Sequence, residues 1–316
     1  MMKRIVSIGE CMGELSETGV PGQLSMGFAG DTLNTAWYLR RRLPVDWTVD
    51  YVTAVGTDGL SNRMVDFLDG EGIGTDHIRR LSDKTIGLYY IELKDGERSF
   101  AYWRSDSAAK QLARDVEKLE LALTGASIAY WSGITLAILA PADRITLIDA
   151  LRGFAARGGK VIFDSNLRPR LWESPDDMRE WITRAASIAD LCLPSHEDEA
   201  SWFGDIDAEA TARRYQRAGS GRVAVKNGAG EISLLDADGQ LIVVPVEPAA
   251  EVVDTTAAGD SFNAGFIAEE LAGGTMVEAA HAGAALAGRV IGARGALVRQ
   301  ATGAQGPWQQ RPASHP

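Results

Sequence analysis

The densest candidate for chemistry in this chain is one carboxylate set among small residues, in the stretch VVDTTAAGDSFNAGF from Val252 to Phe266. A β-branched run ends at Asp254. Thr255, Thr256, Ala257, Ala258 and Gly259 then lead into an apolar helical pattern whose first turn holds Asp260. Small side chains let an anion touch the backbone, and the N–H groups at a helix start, which lack internal acceptors, face it with the favourable end of the helix dipole. A carboxylate at that place would repel a phosphate. Asp260 therefore makes sense facing a neutral hydroxyl, taking its proton while the backbone holds developing phosphoryl charge. The pattern points to phosphoryl transfer to an alcohol, although an Asp capping a tightly packed helix would give the same letters.

Competing motifs are missing. There is no G-x-x-x-x-G-K-[ST], and no G-x-G-x-x-G follows a strand, so P-loop and Rossmann readings weaken together. The four His (77, 196, 281 and 315) and two distant Cys, Cys11 and Cys192, have no metal-ligand spacing. Both cysteines sit in apolar runs and read as buried thiols. Any metal is expected to be Mg²⁺ carried on nucleotide phosphates.

Positioning such a site needs a frame, and the chain alternates strand-like and helix-like patterns. RIVSIG (4–9), DYVTAVG (50–56), SIAYWSG (127–133), KVIFDSN (160–166), DLCLP (190–194) and RVAVKNG (222–228) read as strands. Helical patterns such as DTLNTAWYLRRRL (31–43) lie between them, predicting an α/β fold with a mainly parallel sheet flanked by helices. TIGLYYIELKDGERSFAYWR (85–104) breaks the rhythm, as two strands joined by an Asp-Gly turn; it reads as an added small sheet able to cover a site. ISLLDADGQLIVVP reads as a second hairpin. The run Arg40–Arg42 reads as a solvated helix end, favoured there by the dipole. One domain spanning 1–316 is expected, with lid elements near 11–28 and 85–104 and a fraying tail over 303–316.

Composition agrees with a soluble globular chain: 45% of its 316 residues are hydrophobic, enough for a sizeable core. The formal net charge of -11 disfavours nucleic acid and anionic membranes as partners. With no secretory leader pattern and no run of 18 apolar residues, a cytoplasmic location is expected.

DTTAAGDSFNAGF resembles the C-terminal signature of the ribokinase-like (PfkB) carbohydrate kinases, and AGDTLNTA (29–36) resembles their N-terminal signature. The pieces GECMGELSE, GDTLNTAWYL, YVTAVGTD, GLYYIE, GERSFAYWR, SGITLAIL, KVIFDSNLRPRLW and DTTAAGDSF, in that order, are similar to the branch of the family acting on keto-deoxy sugar acids. The resemblance implies a ribokinase-like fold and ATP-dependent phosphorylation of 2-keto-3-deoxygluconate on its terminal hydroxyl. It makes Asp260 the catalytic base, with Ala257, Ala258 and Gly259 as the anion hole. It places Gly30, Asp31, Asn34, Tyr89, Tyr102, Arg104 and Arg168 at the sugar acid, and Ser195, Lys226, Gly228 and Gly230 at ATP. Asp254 and Thr256 match a loop for a monovalent cation such as K⁺. The chain departs from the family pattern at Ala29 and Ala257, where relatives carry Gly, and at Ser195 and Asp198, where many carry N-x-x-E.

The arginines suit the same substrate class. A neutral sugar needs only hydroxyl partners, whereas a sugar acid brings a carboxylate that a planar guanidinium holds with two parallel hydrogen bonds. Arg104 and Arg168 are the candidates, although Arg168 could simply pair with a surface carboxylate and Tyr89 and Tyr102 could be sheet core. A kinase of a neutral sugar such as fructose or ribose, and a non-catalytic sugar-binding protein, are the competing readings. An exposed lid sheet invites pairing with a second lid, so a homo-oligomer is expected.

Overall fold

A computed structural model describes residues 3–94 and 97–303. In chain order the strands are β1 (Arg4–Ile8), β2 (Met12–Glu17), β3 (Leu24–Ala29), β4 (Thr48–Val52), β5 (Ala54–Gly56), β6 (Arg79–Leu81), β7 (Gly87–Lys94), β8 (Glu97–Trp103), β9 (Ile128–Ser132), β10 (Lys160–Asp164), β11 (Leu191–Cys192), β12 (Arg222–Val225), β13 (Ile232–Leu235) and β14 (Leu241–Val244). The helices are α1 (Asp31–Arg42), α2 (Gly59–Gly70), α3 (Val116–Leu123), α4 (Gly133–Ala137), α5 (Pro141–Ala156), α6 (Pro175–Ala186), α7 (His196–Phe203), α8 (Ala208–Ala218), α9 (Ala258–Leu271) and α10 (Met276–Ile291).

Eight strands form one sheet in the order β14-β13-β12-β11-β10-β9-β1-β4. From β12 through β4 every pairing is parallel; β13 and β14 continue the sheet antiparallel, as a hairpin at its edge. The parallel strands are buried on both faces, so they read as continuous apolar runs rather than alternating ones. Alternate residues of β9 show how the core is split. Ala129 and Trp131 face one apolar cluster with Leu147, Phe163 and Ile182, while Ile128 and Tyr130 face the other with Leu33, Tyr51 and Phe266.

A smaller four-stranded sheet has the order β3-β2-β7-β8, with β2 and β7 parallel and both outer pairs antiparallel. It draws the segments near 11–28 and 85–104 together. The Asp95-Gly96 turn expected between β7 and β8 lies outside the described residues, as does the tail from 304 onward.

Two local expectations need correction. DYVTAVG is two strands, not one: β4 joins the large sheet, and after Thr53 the chain turns so that β5 pairs with β6 in a separate two-stranded sheet. Arg40 and Arg41 are not solvated. Each is 6% exposed; Arg40 donates to Trp47 O at 3.0 Å, and Arg41 stacks 3.4 Å over the Trp37 ring and pairs with Glu71. The long aliphatic stems pack like apolar side chains while each head finds its own acceptor, which a charge count along the sequence cannot reveal. Cys11 and Cys192 are buried free thiols, and burial pushes both thiols up.

Candidate active site

Arg168, Ser195 and Lys226 follow the carboxyl ends of β10, β11 and β12, where open α/β sheets place ligands. α9 fixes the centre. Every residue from Ser261 to Ala268 is buried, so the helix runs through the core and its start cannot drift. Its N-cap is Ala257, in the left-handed conformation at φ 60, and no side chain caps the first turn. The leading N–H groups thus have small neighbours and no side-chain capping oxygen; that of Ala258 donates to Thr255 O at 3.2 Å, which leaves its neighbours for an anion to reach. Gly259 lies inside the helix; the left-handed residue of this turn is Ala257.

Asp260 sits in that first turn, part-buried, and accepts a hydrogen bond from Asn34 Nδ2 at 2.8 Å. Thr35 Oγ1 donates to the Asp260 carbonyl at 3.2 Å, tying α1 to α9. Burial first, and then the charge of Asp31, push the Asp260 carboxyl up to about 8, against the pull of the Asn34 hydrogen bond. Asp31 is itself raised by burial and accepts from Asn166 Nδ2 at 3.0 Å.

Lys226 does not reach outward from its glycine-containing loop. Its Nζ turns in to Asp164 Oδ1 at 3.2 Å and Asn263 Oδ1 at 3.0 Å. A Cβ on Gly259 would stand 3.5 Å from this ammonium, so Lys226 lies beside the start of α9. Asn263 also donates to Asp164 at 2.8 Å and to the Tyr130 hydroxyl at 3.0 Å, and the same hydroxyl lies within hydrogen-bond distance of Thr35 Oγ1, at 3.1 Å. Asp164, Asn166, Asn263, Thr35 and Tyr130 were not anticipated. Asn263 was findable: three residues after Asp260, it shares that helix face.

Ser195 stands at the N-cap position of α7, without a side-chain capping hydrogen bond, and bridges in parallel to Lys226, which brings the two proposed nucleotide segments side by side. Gly228 takes φ 56 in the turn that follows, and a Cβ on Gly230 would come within 2.8 Å of Asn227 Nδ2. Arg168 is placed differently from Arg104. Its side chain is 56% exposed and lies 4.0 Å from Asp198, whose carboxyl is raised by burial. Asn166, Arg168 and Ala257 are the non-glycine residues with left-handed φ among the described residues, and Asn166 donates to Asp31. Such backbone strain concentrates at functional sites.

The small sheet carries a cluster of aromatic rings, Tyr89, Phe100 and Tyr102. Tyr89 and Tyr102 are opposed across β7 and β8 with ring centroids 5.9 Å apart; Tyr89 is buried and donates to Glu14, while Tyr102 is 54% exposed. Tyr89, Met12, Ala29 and Ala296 form a small apolar cluster against which Ala257 packs, joining this sheet to the start of α9. Arg104, just past β8, pairs with the buried Glu10, which precedes β2. Gly30 is the N-cap residue of α1, its N–H donating to Asn34 Oδ1 at 3.4 Å. Asp254 accepts from the Thr256 N–H and hydroxyl at 3.1 and 2.7 Å and from Gly295 N at 2.7 Å, so its carboxylate pins the loop that leads into α9. Among the described residues no group of three or more His, Cys, Asp or Glu is placed to hold a metal ion, and no helix is long and apolar enough to cross a membrane.

A proton acceptor, a cradle for an anion and an ammonium beside it make a site competent for phosphoryl transfer to a hydroxyl. Comparison with known proteins agrees. The 2-dehydro-3-deoxygluconokinase of Escherichia coli (strain K12) is 42% identical over 304 residues, covering 94% of this chain and 98% of that protein. The 2-dehydro-3-deoxygluconokinase of Dickeya dadantii (strain 3937) is 43% identical, covering 94% and 97%. The crystal structure of a PfkB protein from Polaromonas sp. JS666 superposes with a TM-score of 0.79 at 29% identity, covering 92% of this chain and 96% of that one. Residues 2–301 match the model of the pfkB family carbohydrate kinases, and the chain belongs to that family.

Proposed function

We propose that this protein transfers the terminal phosphoryl group of ATP to the terminal hydroxyl of 2-keto-3-deoxygluconate, the compound also called 2-dehydro-3-deoxygluconate. The observation that carries this reading is Asp260, a carboxyl raised to about 8 by burial at the uncapped start of α9. A carboxylate of that basicity takes a hydroxyl proton far more readily than an ordinary one, close to working pH. The two full-length relatives above, more than 40% identical and named for this activity, support the substrate.

In this reading Asp260 accepts the proton of the attacking hydroxyl, and Asn34 holds its carboxylate in place. The backbone N–H groups of Ala257, Ala258 and Gly259 hold charge that develops on the phosphoryl oxygens, and Lys226 adds its ammonium there. Gly30, Asp31 and Asn34 meet the sugar hydroxyls, Tyr89 and Tyr102 cover its carbon face, and Arg104 and Arg168 meet its carboxylate. Ser195 and the loop from Lys226 through Gly230 line the ATP side. The residues present fit a triphosphate: no side chain caps the first turn, its side chains are small, and the Lys226 ammonium, paired with Asp164 and Asn263, lies beside it. Mg²⁺ on the phosphates would neutralise charge between the transferring oxygens. Asp254 and Thr256 hold the loop where a K⁺ ion would brace the anion hole. The small sheet acts as a lid and as the contact between subunits of a homo-oligomer.

The test is ATP consumption by the purified protein over a panel of keto-deoxy sugar acids and neutral sugars. Turnover of 2-keto-3-deoxygluconate with a kcat/KM at least a hundredfold above that of fructose and ribose is expected. Preference for a neutral sugar would overturn the assignment.

A further inference from the structure

The chain leaves the large sheet at Ile8 and enters the small one at Met12, and Glu10 lies midway along that short link. It is a carboxylate only 2% exposed. One oxygen pairs with Arg104 Nη2 and the other accepts from the Ser107 hydroxyl. The surroundings are cleared for it. A Cβ at Gly30 would stand 2.2 Å from the Glu10 carbonyl oxygen, and one at Gly87 would stand 3.0 Å from Glu10 Oε1 and 3.1 Å from Arg104 Cβ. A side chain at Gly30 would clash with the Glu10 backbone, and one at Gly87 would crowd the Glu10–Arg104 pair.

A buried carboxylate costs free energy unless it is paired, so a packed core would not retain Glu10 for stability alone. What the pairing achieves is orientation. Arginine has several rotatable bonds and loses considerable entropy when a substrate has to fix it; a guanidinium already held on one side loses less. Glu10 holds Nη2, while Nε and Nη1 of Arg104 have no protein acceptor among the described residues.

We infer that Glu10 is the positioning residue for Arg104, setting the free side of its guanidinium towards the carboxylate of the sugar acid and so fixing the preference of the site for acids. The inference rests on the reading above that Arg104 meets that carboxylate. Glu10 touches no reacting atom; it acts through Arg104. Because Glu10 belongs to the link between the two sheets and Arg104 to the end of the small one, the same pair also ties the position of the small sheet to the site it covers.

The experiment is a double-mutant cycle read as the ratio of kcat/KM for 2-keto-3-deoxygluconate to that for the analogue whose carboxylate is reduced to an alcohol. Glu10→Gln preserves shape but removes the charge, and is expected to lower the ratio about tenfold or more; Ser107→Ala, a milder change that loosens the other oxygen, is expected to lower it severalfold. In an Arg104→Ala background neither change should lower the ratio further. Thermal unfolding of each variant reads a structural role separately. A Glu10→Gln protein with an unchanged ratio would sink the proposal, whatever its melting temperature, and so would an equal fall of the ratio with and without Arg104. A wild-type enzyme that turns over acid and alcohol alike would instead overturn the assignment of Arg104 itself. Should Glu10→Gln fail to fold, the Ser107→Ala pair of measurements decides by the same criteria.

Discussion

Asp260 carries two demands that pull its environment in opposite directions. It must be basic enough to take a hydroxyl proton, which burial beside Asp31 supplies, and it must still ionise near neutral pH, which the Asn34 hydrogen bond and the Lys226 charge favour. With the free carboxyl at about 8, kcat/KM should climb roughly tenfold per pH unit from pH 6 to pH 7.5 and level off above 8.5, because kcat/KM reports the free enzyme. A flat profile across that window would show that Asp260 is not the titrating base. Asp260→Asn should lower kcat by about 10²- to 10⁴-fold while ATP still binds, as isothermal titration would show. The same shift has a thermodynamic side. The folded carboxyl stays protonated at pH values where the unfolded one, near 3.8, has ionised, so the unfolded state binds fewer protons and stability falls as pH rises from about 4 to 8. Asp260→Asn removes that loss: it should melt several °C above wild type at pH 8 and close to it at pH 4, by calorimetry. For Arg104, truncation to Ala should cost about 2–5 kcal/mol in kcat/KM for the acid, and Lys should recover only part of it. Arg168, half exposed and 4.0 Å from Asp198, should cost less, on the order of 1 kcal/mol. Asp260, Asn34 and Lys226 were legible because their signatures are local. Glu10, Asp164 and Asn166 were not, because each finds its partner across a sheet or between sheets, and no short spacing records that meeting.

At the level of elements, the start of α9 is where sequence and geometry disagree in an informative way. The turn demands a left-handed residue at 257, and this chain supplies Ala at φ 60, a conformation that costs an L-residue roughly 1–2 kcal/mol. Ala257→Gly should therefore raise stability by about 0.5–1 kcal/mol in urea unfolding, the extra chain entropy of Gly offsetting part of the relief. A destabilised variant would mean that the contact of Ala257 with the Tyr89 cluster outweighs the strain. Gly259→Val acts by a different route from the one its glycine first suggests. Position 259 is helical, so the substitution strains no backbone, but a branched side chain would grow from a Cβ already 3.5 Å from Lys226 Nζ, into the cradle. Its expected signature is a protein that unfolds cooperatively near the wild-type temperature and has lost more than about tenfold in ATP affinity. The parallel strands were readable as unbroken apolar runs. The division of DYVTAVG between two sheets was not, since nothing in its periodicity marks where the chain leaves the larger one.

For the whole molecule, the exposed apolar surface of the small sheet sits uneasily with a solitary chain. Among the described residues its outer strand β8 has one unpaired edge, and it exposes Phe100, Tyr102 and Trp103 at 46%, 54% and 59%. Residues alternate along a strand, so Tyr102 and Trp103 stand on opposite faces. With Tyr102 turned towards Tyr89, Trp103 is the aromatic available to a second subunit. An open edge flanked by aromatic rings attracts another chain, and a symmetric pair of such sheets would cover both edges at once. Against this stands a formal charge of -11 on each chain, which makes two copies repel at long range. Salt screens that repulsion over about 8 Å at 0.15 M while leaving apolar burial almost untouched. The expected behaviour is therefore specific: light scattering at micromolar concentration gives a dimer or larger species, and the association tightens between about 0.01 and 0.15 M salt. An interface built on ion pairs would loosen over the same range. Trp103→Lys should shift the population to monomer at 0.15 M salt. A wild-type protein that is monomeric at micromolar concentration would count against assembly through the small sheet, and a Trp103→Lys protein that keeps its wild-type mass would move the contact elsewhere on the surface.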